Sequence, residues 1–310
     1  MKWIDEKRLE LVRQGDMDAL LNLDDAGLLM GPGESLDAYA ERLQTLAANI
    51  KEFETELRDV GEVGFVGMKV ERGDRIPADD WTPAQAQTDA LFGFSVDWVP
   101  GFYSAYKMGL LFAGCAFYTY EDFFAVFIVR EDFRKKRKWL IYSRDELIAH
   151  ELTHIAHIGF RTQNYEEIFA YQTSTSPLRK LLGGLLRTTK DTYLLMGATI
   201  GLCVAQGINV FTRDPELWNT MPMPLVWATF AAIICFVSGR YMYYHRRFRG
   251  AQATLRDRFG DEALAVLFRC SEEEITALAQ MPIGSLDAWL SARYDTDIRW
   301  RLIRDKFAGE

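Results

Sequence analysis

The sequence predicts an α+β fold that is mainly helical, with a small antiparallel sheet and a two-helix transmembrane hairpin. Apolar residues recur every three or four positions over much of the chain, as in amphipathic helices. Short runs near the middle are rich in aromatic and β-branched residues, as strands are. Two later stretches carry no charge. These patterns indicate an N-terminal helical hairpin at 1–60, a mixed domain at 61–190, a membrane hairpin at 191–240 and a C-terminal helical region at 241–310.

The N-terminal region predicts two amphipathic helices, at 3–30 and 35–59. Gly31, Pro32 and Gly33 separate them, and these residue types break helices. The apolar residues of the second helix follow spacings of three and four, namely Leu36, Tyr39, Leu43, Leu46, Ile50, Phe53 and Leu57. We expect a helical hairpin that packs on itself or on the following domain.

The middle of the chain predicts strands. Residues 61–70 form a strand candidate that glycines interrupt, and a helix is expected at 84–94. Aromatic and β-branched residues predict further strands at 116–120, 123–129 and 139–142. The strand at 123–129 is a candidate sheet edge, where an extended peptide could pair with the backbone.

A helix is expected directly after these strands. Ser143 and Glu146 have the spacing of a capping box, and Gly159 suits the C-terminal end of a helix. An apolar stripe would hold this helix against a core, through Leu147, Ile148, Leu152, Ile155 and Ile158. The helix contains the run His-Glu-Leu-Thr-His at 150–154.

Two histidines in this run have the spacing of metal ligands. His150 and His154 lie on one helix face, one turn apart, so that both imidazoles can reach a single ion. Glu151 stands beside them, where a carboxylate can accept a proton from water at the metal and pass it to a leaving group. Catalytic zinc takes three protein ligands and keeps one open position. A third ligand is therefore expected, and candidates follow at 161–172.

This pattern resembles the gluzincin metallopeptidases, in which His-Glu-x-x-His is followed on the next helix by Glu-x-x-Ala. Glu167 and Ala170 match that second motif, thirteen residues beyond His154. The resemblance implies Glu167 as the third zinc ligand. It also implies a zincin-like metallopeptidase domain at 61–190, with a small sheet before the metal-binding helix. The similarity extends over about residues 143–171.

Other residues compete with Glu167 for the third position. If Asn164 caps the second helix, Glu167 becomes its third residue, where an acid commonly closes a capping box. Glu166 would then be the ligand. His157 shares the helix face of the two histidines and is a third candidate ligand. Alternatively, it supports the site or faces the substrate, or it is simply a half-buried histidine.

The group that would stabilise negative charge on the substrate is not identified by any motif. The candidates for this role or for substrate contact are His157, Tyr165, Tyr171 and Arg161. Tyr171 also marks a departure from the resemblance, since some membrane gluzincins place an Asp after the alanine of Glu-x-x-Ala.

Two uncharged stretches, 192–212 and 217–239, predict transmembrane helices, because each can cross a hydrocarbon core of about 30 Å. The connecting loop has Arg213 as its basic residue, whereas more basic residues flank the outer ends. The flanking residues are Arg179, Lys180, Arg187, Lys190, Arg240, Arg246, Arg247 and Arg249. We therefore expect an integral membrane protein with two spans, and with both termini and the 61–190 domain on the cytoplasmic side.

Polar residues in the first span predict a further contact. Gln206 and Asn209 can hydrogen-bond across the hairpin or to a second copy, which would make a homo-oligomer. Beyond the second span, amphipathic helices are expected at 250–269, 271–280 and 285–306.

Composition excludes other classes of protein. A net charge of -8 and the lack of a basic stripe with interleaved aromatics argue against nucleic-acid binding. The basic run Arg134–Lys138 is read either as a solvated turn or as a contact for anionic lipid. The four cysteines are widely spaced, which argues against a disulfide framework or a thiolate zinc site and favours a reducing compartment.

The sequence therefore predicts a membrane-anchored zinc endopeptidase that acts on protein or peptide substrates at the cytoplasmic membrane surface. His150, His154 and Glu167 would bind Zn²⁺, and Glu151 would act as general base. The alternative from another class is a non-enzymatic membrane assembly or sensor protein, in which the metal only braces the fold.

Overall fold

The protein is mostly helical with small sheets, as the sequence predicts. The computed structural model describes residues 4–65, 67–104, 113–119, 124–140, 142–160, 164–212 and 223–308. The elements before the His-Glu-Leu-Thr-His run form two groups, an N-terminal set of helices with a β-hairpin and a central sheet with its neighbouring helices.

The N-terminal group comprises α1 (Glu6–Arg13), α2 (Met17–Asp25), α3 (Leu36–Val60) and the antiparallel hairpin of β1 (Glu62–Phe65) and β2 (Met68–Glu71). The prediction of one helix over 3–30 is wrong. The chain turns at Gly15, where φ is 74°, a conformation that glycine adopts without strain. Asp16 then caps α2, because its side chain accepts a hydrogen bond from the Ala19 amide. The second predicted helix is confirmed as α3, with Ser35 as its N-cap.

The central group comprises α4 (Ala78–Phe92), β3 (Gly101–Ser104), β4 (Gly114–Thr119), β5 (Phe124–Arg130), α5 (Asp132–Lys135), β6 (Lys138–Trp139) and β7 (Tyr142–Ser143). Strand β5 lies between β3 and β4. Its Phe127 pairs with Gly101 in parallel and with Ala116 in antiparallel register, so this sheet is mixed. The prediction of 123–129 as a sheet edge is wrong, because both sides of β5 are paired. Strand β4 is at the edge of the sheet that the structure describes.

The side chains of β5 alternate between two hydrophobic cores, as expected for a strand buried on both faces. Phe127 and Val129 belong to the core that also contains Leu152, which lies in the His-Glu-Leu-Thr-His run. Val126 and Ile128 belong to the core that α1 to α3 form. The sheet therefore separates the N-terminal helices from the helix that carries the histidines.

The second half of the chain is helical, with α6 (Arg144–Ala156), α7 (Glu166–Ala170), α8 (Pro177–Leu182), α9 (Thr189–Thr212), α10 (Met223–Phe259), α11 (Ala263–Phe268), α12 (Glu272–Ala279), α13 (Leu286–Thr296) and α14 (Ile298–Phe307). Segments of α9 and α10 are long and apolar enough to cross a membrane, and only 11% of the residues in the most apolar part of each are buried in the protein. Helix α10 continues without a break into the protein core, where Phe248, Ala251 and Leu255 are buried.

A buried ion cluster joins the two ends of the chain. Asp24 of α2 is 2% exposed, and its carboxylate lies 2.5 Å from Arg269 Nη2 and 2.6 Å from Lys306 Nζ. Arg269 also donates a 2.7 Å hydrogen bond to the carbonyl oxygen of Phe92. The N-terminal helices, α4 and the C-terminal helices are thereby held together.

Candidate metal centre

The histidine-bearing helix forms where the sequence predicts it, as α6 from Arg144 to Ala156. Its apolar face is buried, with Ile148, Leu152 and Ile155 at most 1% exposed. Burial of these side chains on the core fixes the rotation of the helix, and the histidines consequently lie on a partly exposed edge.

The predicted capping box of α6 is wrong, because Ser143 is the N-cap residue but its side chain makes no capping hydrogen bond. Glu146 instead accepts hydrogen bonds from the Thr175 amide at 3.0 Å and from Arg179 Nη1 at 3.0 Å. It also accepts one from the Ser174 hydroxyl at 3.4 Å. Glu146 thus ties α6 to the chain that leads into α8, a role that the sequence analysis missed.

Three side chains converge on the exposed edge of α6. The Nε2 atoms of His150 and His154 lie 3.2 Å apart. The Glu167 carboxylate of α7 lies 3.7 Å from the His150 nitrogen and 3.5 Å from the His154 nitrogen. The two distances run to different oxygens of the carboxylate. With one ligand atom taken from each residue, the three atoms lie within 4.8 Å of one another, so one ion could reach all three. Among the described residues, this set is a group that could hold a metal.

The protonation states of these groups also suit a cation. Burial lowers the pKa of His154 to about 4, and burial and the neighbouring His154 hold the pKa of His150 well below its ordinary value. Both imidazoles are therefore neutral near pH 7, as metal ligands must be. Burial, with the nearby charges of Glu151 and Glu166, raises the pKa of Glu167 to about 8. A bound cation would offset the cost of ionising that buried carboxyl.

Glu151 is held apart from the three converging side chains. Its Oε2 atom accepts a 2.8 Å hydrogen bond from the backbone N–H of Ala116 in β4. Burial raises the pKa of Glu151 to about 7, although the Ala116 hydrogen bond acts in the opposite direction. A carboxyl group that titrates near neutral pH can both accept and donate a proton there.

Residues just after Glu167 support the histidines. The backbone of Ala170 lies near the His150 ring and acts to raise the pKa of that imidazole, against the larger effect of burial. The Tyr171 ring packs edge-on against His150, with ring centroids 4.8 Å apart and an interplanar angle of 73°. The ring also lies against Gly183, where an added Cβ would be 2.0 Å from the Tyr171 Cγ. Gly183 therefore permits this position of the tyrosine.

The structure does not bring His157 or Tyr165 to this cluster. His157 is 1% exposed, its Nε2 lies 3.0 Å from the Phe268 carbonyl oxygen, and its ring stacks on Phe160. Tyr165 is also 1% exposed, and its ring packs against Tyr244. Both residues contribute to the core, so Tyr171 is the predicted contact residue that lies beside the histidines. Arg161 is outside the described residues.

The start of α7 differs from the expectation. Tyr165, not Asn164, is the N-cap residue, and Asn164 donates its amide hydrogen bond to Glu272 of α12. The predicted cap at Asn164 is therefore wrong. The carboxylate in the cluster is that of Glu167, and the adjacent Glu166 is not part of it.

Comparison with known proteins adds no family to these observations. No protein-family model matches the chain, and no curated protein or solved structure matches it. Inference about function therefore rests on the geometry of His150, His154, Glu167 and Glu151.

Proposed function

We propose that this protein is a membrane-anchored, zinc-dependent endopeptidase that hydrolyses peptide bonds at the membrane surface. The observation that carries the proposal is the arrangement of four side chains. Two imidazole nitrogens and one carboxylate converge within 3.7 Å of one another, while Glu151, the next residue after His150, lies outside their set. Three ligands and a separate carboxylate are what a hydrolytic zinc site requires.

His150, His154 and Glu167 would hold the metal. Zinc suits this mixture of imidazole and carboxylate ligands, and it would supply a Lewis acid that polarises a carbonyl and lowers the pKa of water. The ligands would come from α6 and α7, and Glu146 restrains the chain that follows α7 through its bonds to Thr175 and Arg179.

Glu151 would transfer the proton. Attack of water on a peptide carbonyl releases a proton, and departure of the amine requires one. The Ala116 amide holds Oε2 of Glu151, which leaves Oε1 to accept the proton and then deliver it to the leaving nitrogen. A pKa of about 7 for Glu151 suits both transfers.

An extended substrate would pair with β4. This strand contacts the metal-motif helix through Ala116 and Glu151, and it is at the edge of the described sheet. Backbone pairing at a sheet edge tolerates varied side chains and would keep the peptide carbonyl near the histidines. This assignment moves the substrate strand from the predicted 123–129 to β4.

The apolar segments of α9 and α10 would anchor the protein in the bilayer. The basic residues that flank their outer ends favour a cytoplasmic location for both termini and for the metal centre. The homo-oligomer predicted from Gln206 and Asn209 remains part of this proposal.

Glu151→Gln tests the assignment. We expect the full-length variant, purified in detergent, to retain zinc and to lose cleavage of a quenched fluorescent peptide library by at least about 100-fold, because the proton acceptor is gone. Asp145→Asn, on the same helix, is the matched control and should keep both properties. Cleavage that survives in Glu151→Gln would disprove the mechanism. A wild-type protein that holds zinc and cleaves no peptide would instead support the structural-metal alternative.

A further inference from the structure

An exposed apolar segment lies between the metal centre and the first membrane-length helix. It comprises α8 and the following turn, residues 177–186, and we name it the leucine segment. Its leucine side chains are largely exposed, at 64% for Leu178, 45% for Leu181, 47% for Leu182 and 36% for Leu186. Exposed apolar residues are ordinary when scattered, but a contiguous set of them marks an interaction surface.

The position of the leucine segment indicates what it contacts. The membrane-length segment of α9 begins at Lys190, four residues after Leu186. Lys180 lies within the leucine segment and Lys190 lies just after it, and both lysines are exposed. Leucines with interspersed basic residues are typical of segments at the boundary between lipid headgroups and acyl chains.

The leucine segment is also fixed to the second membrane-length helix. The hydroxyl of Tyr241 in α10 donates a hydrogen bond to the carbonyl oxygen of Leu181. Tyr241 comes two residues after Gly239, the last residue of the uncharged stretch in α10. The segment therefore lies at the level where both apolar helices meet the rest of the protein.

We propose that the leucine segment is inserted in the surface of the lipid bilayer, with its four leucine side chains among the outer parts of the acyl chains. This inference rests on the proposed membrane anchoring of α9 and α10, and it does not depend on peptidase activity. The segment directly precedes the apolar part of α9 in the chain and is bonded to α10 through Tyr241, which is why lipid is the partner.

The contacts of the leucine segment link lipid to the metal centre. Gly183 supports the Tyr171 ring, and that ring packs on His150. Arg179 of the same segment donates to Glu146 of α6. The metal centre therefore lies on the protein side of the leucine segment, near the bilayer surface, where the proposed peptidase would meet peptide segments close to a membrane.

Photocrosslinking of lipid tests the insertion. The full-length wild-type chain is reconstituted in nanodiscs of phosphatidylcholine and phosphatidylserine that contain a small fraction of phospholipid with an acyl-chain diazirine. After illumination, we expect lipid adducts on peptides that cover 177–186, as well as on the apolar parts of α9 and α10. Adducts on both helices with none on 177–186 would overturn the proposal.

Variants locate the contact. Leu178→Gln with Leu182→Gln should reduce adducts on the leucine segment several-fold and leave those on α9 unchanged, because both side chains are exposed and make little contribution to folding. Ile283→Gln, at a fully exposed site between α12 and α13, is the matched control and should change nothing.

A contact with a second protein copy gives a different result. It predicts protein–protein crosslinks through 177–186 in place of lipid adducts, which would overturn the proposal. Loss of peptide cleavage with lipid adducts retained would count against the proposed function alone, so the two failures are distinguishable. Circular dichroism of each variant verifies that the fold is kept.

Discussion

The backbone N–H of Ala116 donates a 2.8 Å hydrogen bond to Oε2 of Glu151. This bond connects the edge strand of the sheet to the helix that carries both histidines. The strand that we propose as the substrate partner therefore also positions the carboxylate that we propose as the proton carrier.

Ala116→Pro should remove this bond with little damage to the fold, since proline is tolerated in edge strands where the N–H points away from the ladder. We expect zinc content to be unchanged and peptide cleavage to fall about tenfold or more, as for a lost hydrogen bond to a charged group. Phe117→Pro is the control for damage to the sheet, because alternation turns its N–H towards β5. That variant should lower the melting temperature. Full activity in Ala116→Pro would show that Glu151 needs no support from β4.

Glu167→Gln should weaken zinc binding by more than about 100-fold, because the loss of a ligand exceeds the effect of losing a supporting hydrogen bond. With metal removed from both proteins, the variant should be as stable as the wild type or more so, since burial already disfavours the ionised Glu167 carboxyl. Competition with a zinc chelator measures the affinity. Glu166→Gln, one residue earlier, is the matched control. If Glu166→Gln lost the metal instead, the assignment of the third ligand would be reversed.

Gly183→Ala should displace Tyr171, because the added Cβ would lie 2.0 Å from the Cγ of that ring. A shift of the ring would disturb its contact with His150, and we expect zinc affinity to fall about tenfold. The same substitution should have little effect in a Tyr171→Ala background, where the clash is gone. Gly197→Ala, at an open position of α9, is the control. An equal effect of Gly183→Ala in both backgrounds would show that Gly183 does not act on the metal centre through Tyr171.

Asp24→Asn should destabilise the protein by about 3–5 kcal/mol at pH 7, because it removes one partner of a buried ion pair. Burial alone would raise the pKa of Asp24, but Arg269 and Lys306 outweigh it and the pKa is lowered. The carboxylate therefore stabilises the fold fully above the ordinary Asp pKa of 3.8, and this contribution is lost as pH falls through the lower folded pKa.

The difference in melting temperature between wild type and Asp24→Asn should accordingly be constant from pH 7 to about pH 5 and shrink below pH 3.8. Asp18→Asn, at an exposed site on the same helix, should match the wild type throughout. A difference that grows on acidification would contradict the assigned charge state of Asp24.

Local patterns in the sequence predicted the parts of the fold that local physics decides. The apolar spacing of α3 and the histidine spacing of α6 lie within one helix each, and both helices formed within a few residues of their expected bounds. The apolar stretch 192–212 lies within α9, and the described part of 217–239, from residue 223 on, lies within α10. Within the candidate site, the His-Glu-x-x-His motif alone predicts His150, Glu151 and His154.

Long-range contacts decided the rest. The spacing of Ser143 and Glu146 is the same whether the glutamate closes a capping box or binds a later segment of the chain. In the structure Glu146 binds the later segment. The central position of β5 depends on β3, about twenty residues earlier in the chain. His157 has the helical spacing of a ligand, yet the carbonyl oxygen of Phe268, more than one hundred residues away, accounts for its polar contact.

Helix α10 runs unbroken from Met223 to Phe259. Phe248 lies nine residues beyond Gly239, about 13 Å along the axis, and its ring packs 5.1 Å from that of Phe169, two residues after Glu167. With α10 anchored as proposed, this continuous helix sets a fixed distance between the membrane surface and the peptide bond that would be cleaved. A polypeptide that leaves the lipid would need about four extended residues to cover this distance. The position of a cleavage site would then depend mainly on its distance in residues from the bilayer, and only secondarily on the identity of its side chains.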